Sequence, residues 1–545
     1  MATATTRRKA SLSSAKRINV VVVVYVVVND HFGAAKIKSF MYSSLKYFFL
    51  LGGPVIFIAL LGLKPPSQKK TPPNIVYILA DDLGYGDLSV YNPRGGIKTP
   101  NLDKLASQGM RFTDAHSPSG VCTPTRYGIL TGRYPWRSRL PVGVLRGYSR
   151  TLIEADRPTV ASMLKSRGYN TGVVGKWHLG LDWVPTVAHR DSLQKKDYGI
   201  HSEMLPEQID FTQKVSQGPG TLGFDYSYVL PASLDMPPYC YLENQQLTEI
   251  PSGHTKGNKP EAGYAGAFWR EGAMSPSFDF FGVLPRFVDK ATDFLKKQNK
   301  QKPFFLYIPF AAPHTPWMPT PEYTSKSRAG EYGDFVQQVD ASVGQILATL
   351  DQLGLTENTL VVFTSDNGPY WREDYVQRFN HQAAAEFRGM KGDAFEGGHR
   401  VPFIVRWPGK VAAGSTSAAT TCLTNLMATS AEVVGVKPSK FKVEDSYSIL
   451  PVLLGKSAQV LNQPAVVHSS SIGFFAIRKG DWKLIEGLGS GGFTQPKEIA
   501  PKPGEAPGQL YNLKEDVGET RNLYSQEPEK VQELRKLLGD IKQAK

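Results

Sequence analysis

The sequence predicts an α/β fold, with a doubly wound sheet and a smaller antiparallel-sheet subdomain near the C-terminus. From residue 74 onward, unbroken apolar runs of strand length alternate with stretches whose apolar residues recur at helical spacing. This pattern is typical of parallel strands joined by helices. Two of the apolar runs end at acidic residues, at the edge of the sheet where such folds bind ligands. After about residue 440 the apolar stretches become short and alternating, which indicates antiparallel strands.

Unbroken apolar runs predict buried parallel strands, because helices cover both faces of such strands. The runs are Ile75–Ala80, Phe304–Pro309 and Leu360–Thr364. A helix is predicted over Thr159–Arg167, where Gly168 ends it, and the strand Thr171–Val174 follows. A second helix is predicted over Gly333–Leu350, because its apolar residues recur every three or four positions.

The C-terminal region predicts a small sheet and a last helix. The strands are Val466–His468, Phe474–Arg478 and Trp482–Leu484, with a turn over residues 479–481 between the last two. The Gly- and Pro-rich segment 487–508 is interpreted as a plain connecting loop, and Glu527–Ala544 as a terminal helix with a polar face. We therefore predict a leader and linker over 1–70, a catalytic domain over 71–440 and a C-terminal subdomain over 441–545.

Charge is concentrated at the N-terminus. Residues 1–70 contain eleven Lys or Arg and one acid, Asp30, so they carry +10 of the net charge of +14, and the remaining 475 residues carry +4. A nearly neutral body offers no electrostatic support for nucleic-acid binding. Three cysteines exclude a disulfide-stapled scaffold and a four-cysteine zinc site. Cys240 and Cys422 are expected to be packed thiols.

An uncharged run, Tyr47–Leu63, lies between Lys46 and Lys64 in this basic leader. Such a run predicts export, through either a signal peptide or a membrane anchor. The protein would then be periplasmic, secreted or membrane-anchored. Whether the leader is cleaved, and whether the chain starts at Met1 or Met41, stays open.

Acid pairs follow two predicted strands. Asp81 and Asp82 end the first strand, and Asp366 and Asn367 follow the strand Leu360–Thr364. Because the ends of parallel strands meet at one edge of a sheet, these side chains can converge there. Four oxygen donors at one point make a site for a hard cation, calcium or magnesium.

Two longer motifs are the most specific features of the chain. The stretch 122–132 reads Cys-Thr-Pro-Thr-Arg-Tyr-Gly-Ile-Leu-Thr-Gly, and the stretch 168–178 reads Gly-Tyr-Asn-Thr-Gly-Val-Val-Gly-Lys-Trp-His. Both match the signature motifs of the formylglycine-dependent type I sulfatases, in the expected order. From about Asn74 to the C-terminus the chain resembles this family, and in particular its arylsulfatase and N-acetylgalactosamine-6-sulfatase members.

The resemblance implies the alkaline-phosphatase-like α/β fold, hydrolysis of sulfate esters and one calcium ion. It also implies that a formylglycine-generating maturation enzyme converts Cys122 to an aldehyde. The hydrated aldehyde, a gem-diol, would attack sulfur with one oxygen, and its second hydroxyl would collapse to eject sulfate. The implied calcium ligands are Asp81, Asp82, Cys122 in its converted form, Asp366 and Asn367.

The same resemblance implies roles for further residues. Arg126 would hold the hydrated aldehyde, Lys176 would bind the sulfate and His178 would take the second diol proton. His314 and Lys391 would face the leaving oxygen. Independently of any family, displacement at a sulfate ester needs cations that neutralise the anion and groups that transfer protons near neutral pH.

Two other stretches point to a sugar substrate. Residues 147–183 resemble bacterial sulfatases that act on sulfated glycans, and residues 330–346 resemble N-acetylgalactosamine-6-sulfatases. We therefore expect a sulfated galactose or N-acetylgalactosamine unit, with 6-O-sulfate as the first candidate. Acids bond sugar hydroxyls and aromatic rings stack on sugar faces, so candidate substrate contacts are Asp235, Tyr239, Trp371 and His381, whereas His399 is expected to be structural.

Two alternatives remain at this point. The first is a phosphonate or phosphate diester hydrolase of the same superfamily, which can share the Cys-x-Pro-x-Arg motif. The second is a non-catalytic protein that binds sulfated glycans while Cys122 stays a thiol.

Overall fold

A ten-stranded mixed sheet forms the centre of the molecule. The computed structural model describes residues 71–189, 203–260, 264–437 and 443–544. In spatial order the strands of the sheet are β13 (Ser415–Ser417), β2 (Met110–Phe112), β12 (Phe403–Arg406), β11 (Thr359–Ser365), β1 (Asn74–Ala80), β10 (Phe304–Pro309), β4 (Asn170–Lys176), β5 (Tyr226–Leu230), β6 (Leu242–Glu243) and β7 (Gln246–Leu247).

The middle of this sheet is parallel. Strands β11, β1, β10, β4 and β5 run in one direction, with Ile75 opposite Leu360 on one side and Phe305 on the other. The flanking strands β12 and β6 are antiparallel to their neighbours β11 and β5. Strand β1 is buried on both faces, which explains why its sequence is an unbroken apolar run.

Helices cover both faces of the sheet. Alternate residues of β1 point into two different cores, with Ile75 and Tyr77 in one and Val76 and Ile78 in the other. The helices are α1 (Pro100–Ser107), α2 (Cys122–Thr131), α3 (Val160–Lys165), α4 (Val283–Lys296), α5 (Gly330–Gln352), α6 (Glu373–Phe379), α7 (Glu396–His399), α8 (Leu426–Val433), α9 (Leu450–Leu453) and α10 (Pro528–Gln543). The first core packs against α2, α3 and α8, and the second against α1, α4 and α5, so the predicted doubly wound α/β class is confirmed.

A second antiparallel sheet lies in the C-terminal part, as predicted, and it has four strands where the sequence predicts three. It consists of β15 (Val466–Ser469), β16 (Phe475–Lys479), β17 (Trp482–Ile485) and β18 (Gln509–Asn512). Helix α10 packs against it through Val531, Leu534 and Leu538. Two small pairs complete the strands: β3 (Ala115–His116) with β14 (Thr421–Cys422), and β8 (Gly253–Thr255) with β9 (Gly272–Met274).

Short 3-10 helices connect several of these elements. They are Tyr85–Asp87, Pro135–Arg137, Val187–His189, Pro206–Gln208, Pro219–Leu222, Pro321–Tyr323, Thr356–Asn358 and Leu423–Asn425. Single turns of this kind satisfy a few backbone groups where the chain changes direction.

The predicted element boundaries differ from the structure by a few residues. The strand over Phe304–Pro309 has the predicted limits, whereas α3 is shorter than predicted at both ends. Thr159 is the N-cap of α3 because its side-chain oxygen accepts a hydrogen bond from the Ser162 N–H over 3.0 Å. Helix α5 extends beyond the predicted limits at both ends, where Gly330, Glu331, Asp351 and Gln352 add no apolar side chain to the helical pattern.

The described residues belong to one compact unit, residues 70–545. The predicted boundary at residue 440 falls in a segment, 438–442, outside the described residues, and so do the leader and the candidate anchor over 47–63. Within the described part of the chain, no helix combines the length and apolar character that a bilayer span requires.

Candidate active site

The candidate functional side chains gather at the carboxyl ends of the five parallel strands. Each strand leads directly into a turn that contributes some of them, so the sheet itself fixes their positions. In strand order they are Asp366 and Asn367 after β11, Asp81 and Asp82 after β1, His314 after β10, Lys176 at the end of β4, and Ser233 and Asp235 after β5. Cys122 begins α2, and Lys391 lies in the segment before α7.

The predicted metal ligands form one buried group. Asn367 Nδ2 donates to Asp82 Oδ1 over 2.7 Å, and the Asp82 N–H donates to Asp366 Oδ1 over 3.2 Å. Arg126 Nη2 donates to Asp366 Oδ2 over 2.7 Å and lies 3.4 Å from Asp81 Oδ1. Buried carboxylates this close together need cations to offset their repulsion and desolvation.

Two of these carboxyl groups differ in their affinity for protons. Burial and the neighbouring Asp81 raise the pKa of Asp366 to about 7. Burial by itself would also raise the pKa of Asp81, but Lys176 and Arg126 hold it well below its usual range. A divalent cation among these oxygens would favour the ionised form of both groups.

Cys122 lies against the acids at the first position of α2. Its Sγ, one oxygen each of Asp81 and Asp82 and one nitrogen of His314 all lie within 4.8 Å of one another. We call these four residues the Cys122 cluster. Burial raises the pKa of the Cys122 thiol to about 12, in spite of the nearby lysines. The unmodified thiol is therefore neutral, and a neutral thiol is a weak nucleophile.

Two lysines border the cluster. Lys176 Nζ donates to Asp81 Oδ2 over 2.6 Å and to Ser233 Oγ over 3.2 Å. Lys391 Nζ donates to Asp82 Oδ2 over 2.7 Å. Burial by itself would lower the pKa of Lys391, but the Asp82 carboxylate raises it above its usual range. Lys391 therefore stays charged at neutral pH.

The two histidines present different nitrogens. His178 Nε2 donates to the Leu145 carbonyl oxygen over 2.8 Å, while its Nδ1 has no hydrogen-bond partner among the described residues. His314 Nδ1 donates to the Thr315 carbonyl oxygen over 2.5 Å, and its Nε2 lies 3.5 Å from Asp82 Oδ2. Ser233 Oγ also lies 3.4 Å from His314 Nε2. Burial lowers the pKa of both imidazoles, so both rings are neutral near pH 7, and His178 Nδ1 and His314 Nε2 are the nitrogens that can accept a proton.

Backbone conformation also marks this region. Asp82 and His178 adopt left-handed φ values of 61° and 55°, which non-glycine residues rarely do and which concentrate at functional sites. Gly175, one residue before Lys176, has φ of 142°, and a Cβ there would lie 1.9 Å from the Pro309 carbonyl oxygen. The glycine of the second motif thus lets β4 pass close to β10.

The oxygen donors fit a hard cation. Asp81 Oδ1 and Asn367 Oδ1 are buried and accept no hydrogen bond from the described residues. Buried oxygens without donors are costly, and together with the Asp82 and Asp366 carboxylates they supply the carboxylate and amide oxygens that calcium takes. None of these four side chains is a histidine or a thiolate, the ligands that softer metals select.

The Cys122 cluster opens into a cavity of about 720 Å³, a volume within the range of about 300–1,000 Å³ that ligand sites occupy. Five of the candidate functional residues line it: Asp82, Cys122, His178, His314 and Lys391. Aromatic side chains line much of the remainder: Tyr264, Phe268, Trp317, Tyr332, Tyr370 and Phe493. The cavity therefore offers apolar surfaces next to the charged side chains of Asp82 and Lys391.

One of the four predicted sugar contacts, Asp235, lines this cavity, and the other three lie in the protein core. Tyr239 donates its hydroxyl hydrogen to the Arg270 carbonyl oxygen, and Trp371 donates its indole N–H to the His381 carbonyl oxygen. His381 Nε2 is hydrogen-bonded to Asp87 Oδ1 over 2.7 Å. We therefore correct the expectation that Tyr239, Trp371 and His381 line the sugar site.

Arg126 lies one helical turn after Cys122 in α2, and its role toward the hydrated aldehyde stays a prediction. Arg126 is fully buried, its guanidinium bonds Asp366 and the Lys176 carbonyl oxygen, and it does not line the cavity. From this position Arg126 orients the acids and the end of β4.

Sequence reasoning missed several residues around the cavity. Ser233 Oγ bonds Lys176 and lies 3.3 Å from His314 Nδ1, so it connects the lysine with the histidine. Phe493 and Lys497 belong to the segment 487–508, which we had interpreted as a plain connection but which lines the cavity. Only the position of Ser233, three residues after a parallel strand, could have signalled its role.

A second group of titratable residues lies elsewhere in the fold. His116, Glu396 and His399 bring ligand atoms within 4.8 Å of one another, and the His468 ring stacks on His399 at a centroid distance of 3.4 Å. Lys483 Nζ bonds Glu396 over 3.1 Å and lies 3.1 Å from His399 Nε2. We call these five residues the histidine cluster. It does not line the cavity, which agrees with the structural role expected for His399.

Comparison with known proteins identifies the family. The model of the sulfatase family matches residues 73–436, a span that contains the Cys122 cluster, both lysines and both histidines. The chain belongs to the sulfatase family. This sulfatase is accordingly a sulfuric ester hydrolase, and its fold is the alkaline-phosphatase-like α/β fold expected from the sequence.

Individual relatives match most of this chain and most of their own length. The sulfatase is 34% identical over 514 residues to the N-acetylgalactosamine-6-O-sulfatase of Bacteroides thetaiotaomicron, covering 88% of this chain and 95% of the relative. It is 33% identical to human arylsulfatase A, covering 88% and 89% of the two chains. A solved Bacteroides thetaiotaomicron structure, described under the metabolism of multiple glycosaminoglycans, superposes with a TM-score of 0.73 at 33% identity and covers 87% of this chain and 99% of its own.

Proposed function

We propose that this sulfatase removes sulfate from a carbohydrate of the galactose or N-acetylgalactosamine type, with the 6-O-sulfate as the first candidate. The observation that carries the proposal is the Cys122 cluster with its bordering lysines: a nucleophile position, an acid, a histidine and a cation, namely Cys122, Asp82, His314 and Lys391, line one cavity. The relatives support the sugar: one is an N-acetylgalactosamine-6-O-sulfatase, and it matches over 88% of this chain. The aromatic lining supports it too, since aromatic rings stack on sugar faces.

The nucleophile of the proposal is Cys122 after conversion to formylglycine by a maturation enzyme. The thiol at this position is fully buried and neutral, so it is a poor nucleophile as it stands. The position itself is suitable, because Cys122, the first residue of α2, lines the cavity together with Asp82 and Lys391. A hydrated aldehyde there would provide two hydroxyl groups, one to attack sulfur and one to collapse when sulfate leaves.

A calcium ion is the second part of the proposal. Asp81, Asp82, Asp366 and Asn367 would hold it, together with residue 122, and the two buried oxygens without hydrogen-bond donors support this assignment. When bound, the ion would neutralise part of the negative charge of the sulfate group. Arg126 keeps the Asp366 carboxylate in place through two hydrogen bonds, over 3.0 and 2.7 Å.

The chain's own cations and histidines complete the chemistry. Lys176 and Lys391 lie on either side of the cluster through their bonds to Asp81 and Asp82, where they would bind the sulfate oxygens. His178 Nδ1 is free to take a proton from residue 122, because Nε2 already donates to Leu145. His314 Nε2 faces the cluster, 3.5 Å from Asp82 Oδ2. Because Nδ1 holds the proton of the neutral ring, Nε2 would first take up a proton from solvent in the cavity and then pass it to the leaving sugar oxygen.

Export is also part of the proposal. The basic segment 1–70 and the uncharged run over 47–63 support it. The protein would then act outside the cytoplasm, as a periplasmic, a secreted or a membrane-anchored enzyme. Its substrates would be polysaccharides that cells do not take up intact.

The test is sulfate release by protein produced together with a formylglycine-generating enzyme. The panel contains galactose and N-acetylgalactosamine sulfated at single positions, a phosphate diester and a Cys122→Ala control. We expect release from one sugar and none by the variant. Turnover of the diester in place of every sulfate ester would overturn the assigned substrate in favour of a diester hydrolase. Binding of sulfated sugars without turnover, with Cys122 still a thiol, would favour a glycan-binding protein.

A further inference from the structure

The cavity lining carries charges that the reaction on one sulfate ester does not use. The cavity lining contains two acids, Asp82 and Asp235, and four cations. Each acid already has a cationic partner: Asp82 bonds Lys391 over 2.7 Å, and Asp235 bonds Arg270. The remaining two cations, Lys259 and Lys497, have no ion-pair partner among the described residues.

Lys497 is held at the cavity by an ordered loop. The Gly491 N–H donates to the Lys497 carbonyl oxygen over 2.7 Å, and the Ser490 N–H donates to the Pro496 carbonyl oxygen over 3.1 Å. Asp393 Oδ1 accepts from the Phe493 and Thr494 N–H groups over 2.7 and 3.1 Å. Because Asp393 is two residues from Lys391, this loop is attached to the segment that supplies a cation to the floor of the cavity.

Lys259 comes from a separate part of the chain, the connection between β8 and β9. Asn258 and Trp269 pair through their backbones, with N–H···O distances of 2.8 and 3.1 Å in the two directions. Asn258 Nδ2 also donates to the Ala267 carbonyl oxygen over 2.6 Å. The pairing fixes the backbone next to Lys259 while its side chain remains exposed.

We propose that Lys259 and Lys497 form a second anion-binding subsite, which takes a carboxylate or sulfate on the sugar next to the one that carries the reacting ester. The substrate is then an anionic oligosaccharide of at least two sugars. The cavity volume of about 720 Å³ supports this, because sites of this size accommodate drug-sized ligands rather than a single small ring. This inference rests on the proposed function, since it extends the site that would cleave the sugar sulfate.

The experiment compares Lys259→Ala, Lys497→Ala and the double variant with matured wild-type enzyme. Substrates are nitrophenyl sulfate, the sulfated monosaccharide, and disaccharides whose second sugar is neutral, carries a carboxylate or carries a second sulfate. Lys456→Ala and Lys514→Ala serve as matched controls, because both are exposed lysines that do not line the cavity. The two charged disaccharides show which anion the subsite takes.

We expect each single variant to lower kcat/KM for a charged disaccharide about threefold and the double variant about tenfold, mainly through KM, as suits partly exposed ion pairs. The losses should shrink at high salt. Activity on nitrophenyl sulfate, on the monosaccharide and on the neutral disaccharide should not change. Equal kcat/KM of wild type and double variant on both charged disaccharides would overturn the subsite. Absence of turnover on every sulfate ester by wild-type enzyme would instead contradict the proposed function.

Discussion

The Cys122 cluster and the histidine cluster resemble each other in composition but not in surroundings. Within the described residues, both bring several potential metal ligands within 4.8 Å of one another, and both are buried. Asp82, Cys122 and His314 of the Cys122 cluster line a large cavity, and Asp81 Oδ1 has no hydrogen bond among the described residues. In the histidine cluster, the Lys483 ammonium lies against Glu396 and His399, where a metal ion would have to sit.

The difference teaches that ligand spacing alone does not define a site. A site also needs access for a ligand: both ring nitrogens of His468 lack a hydrogen bond among the described residues, but the histidine cluster does not line the cavity. The histidine cluster connects the C-terminal sheet to elements outside it, since His116 lies in β3 and Glu396 in α7, whereas His468 and Lys483 lie in β15 and β17. We therefore interpret it as a structural link, in which charged groups satisfy one another.

The largest expected effect is on activity, because only the Cys122 cluster contains the nucleophile position. Cys122→Ala should lower sulfate ester hydrolysis at least about 1,000-fold, because no other group can form the covalent intermediate. His468→Phe, a change of similar burial in the other cluster, should leave the activity of the folded enzyme within about twofold at neutral pH. Initial rates on nitrophenyl sulfate with matured protein measure both. A comparable loss in the two variants would remove the distinction between the clusters.

Calcium should also distinguish the clusters. We expect calcium to raise the Tm of wild-type protein and of His468→Phe, since a ligand that binds the native state stabilises it. Asp366→Ala should abolish activity and lose this calcium response, because the ion would lose a carboxylate ligand. Thermal unfolding with calcium and with a chelator is the measurement. An unchanged calcium response in Asp366→Ala would show that the ion is not held at this site.

A sharper test of the Cys122 cluster concerns His314. The alkoxide of a sugar is a poor leaving group, whereas nitrophenolate leaves with little help. His314→Ala should therefore lower kcat about 100-fold on a sugar sulfate, and only a few fold on nitrophenyl sulfate. Steady-state kinetics on the two substrates decide the point. Equal losses would mean that His314 binds the sulfate group instead of donating a proton.

The smallest expected effect concerns the stability of the histidine cluster. Burial, with Lys483 and His116 nearby, lowers the pKa of His468 well below its usual value. Below pH 6.5, the approximate pKa of an unfolded histidine, the unfolded chain binds a proton at His468 that the native state does not bind. The free energy of unfolding therefore decreases as the pH falls, and this residue lowers it by up to about 2 kcal/mol at pH 5. His468→Phe should thus lose less stability between pH 7 and 5 than wild type.

Urea unfolding at several pH values measures this difference. Glu396 and His399 of the cluster, and Glu519 beside Lys483, also take up protons, but they do so in both proteins, and their contributions largely cancel in the comparison. Parallel pH profiles for wild type and His468→Phe would show that His468 does not contribute to the acid sensitivity.

Most of the central fold was predictable, because burial on both faces forces parallel strands to be apolar. Phe304–Pro309 was predicted with its observed limits. Two-residue strands such as β6 and β7 carry too few side chains to show a period, and they form only because β5 offers an edge. Their position is a property of the tertiary structure.

The site was predictable where residues occur in motifs or at strand ends. Asp81, Cys122 and Lys391 converge as expected. Trp371 and His381 were misplaced, because an aromatic or histidine beside a strand end has the same sequence pattern whether it packs inward or faces a cavity. Lys497 was missed because a loop residue acquires its position only through hydrogen bonds from distant residues such as Asp393.

One measurement tests the central claim most directly: the mass of the peptide that carries residue 122, determined on the same preparations whose sulfate release is assayed. Maturation to different extents gives a series of samples. We predict that sulfate release rises in proportion to the fraction of Cys122 converted to the aldehyde and vanishes where conversion is absent. Full sulfate release by protein in which Cys122 remains a thiol would contradict the account.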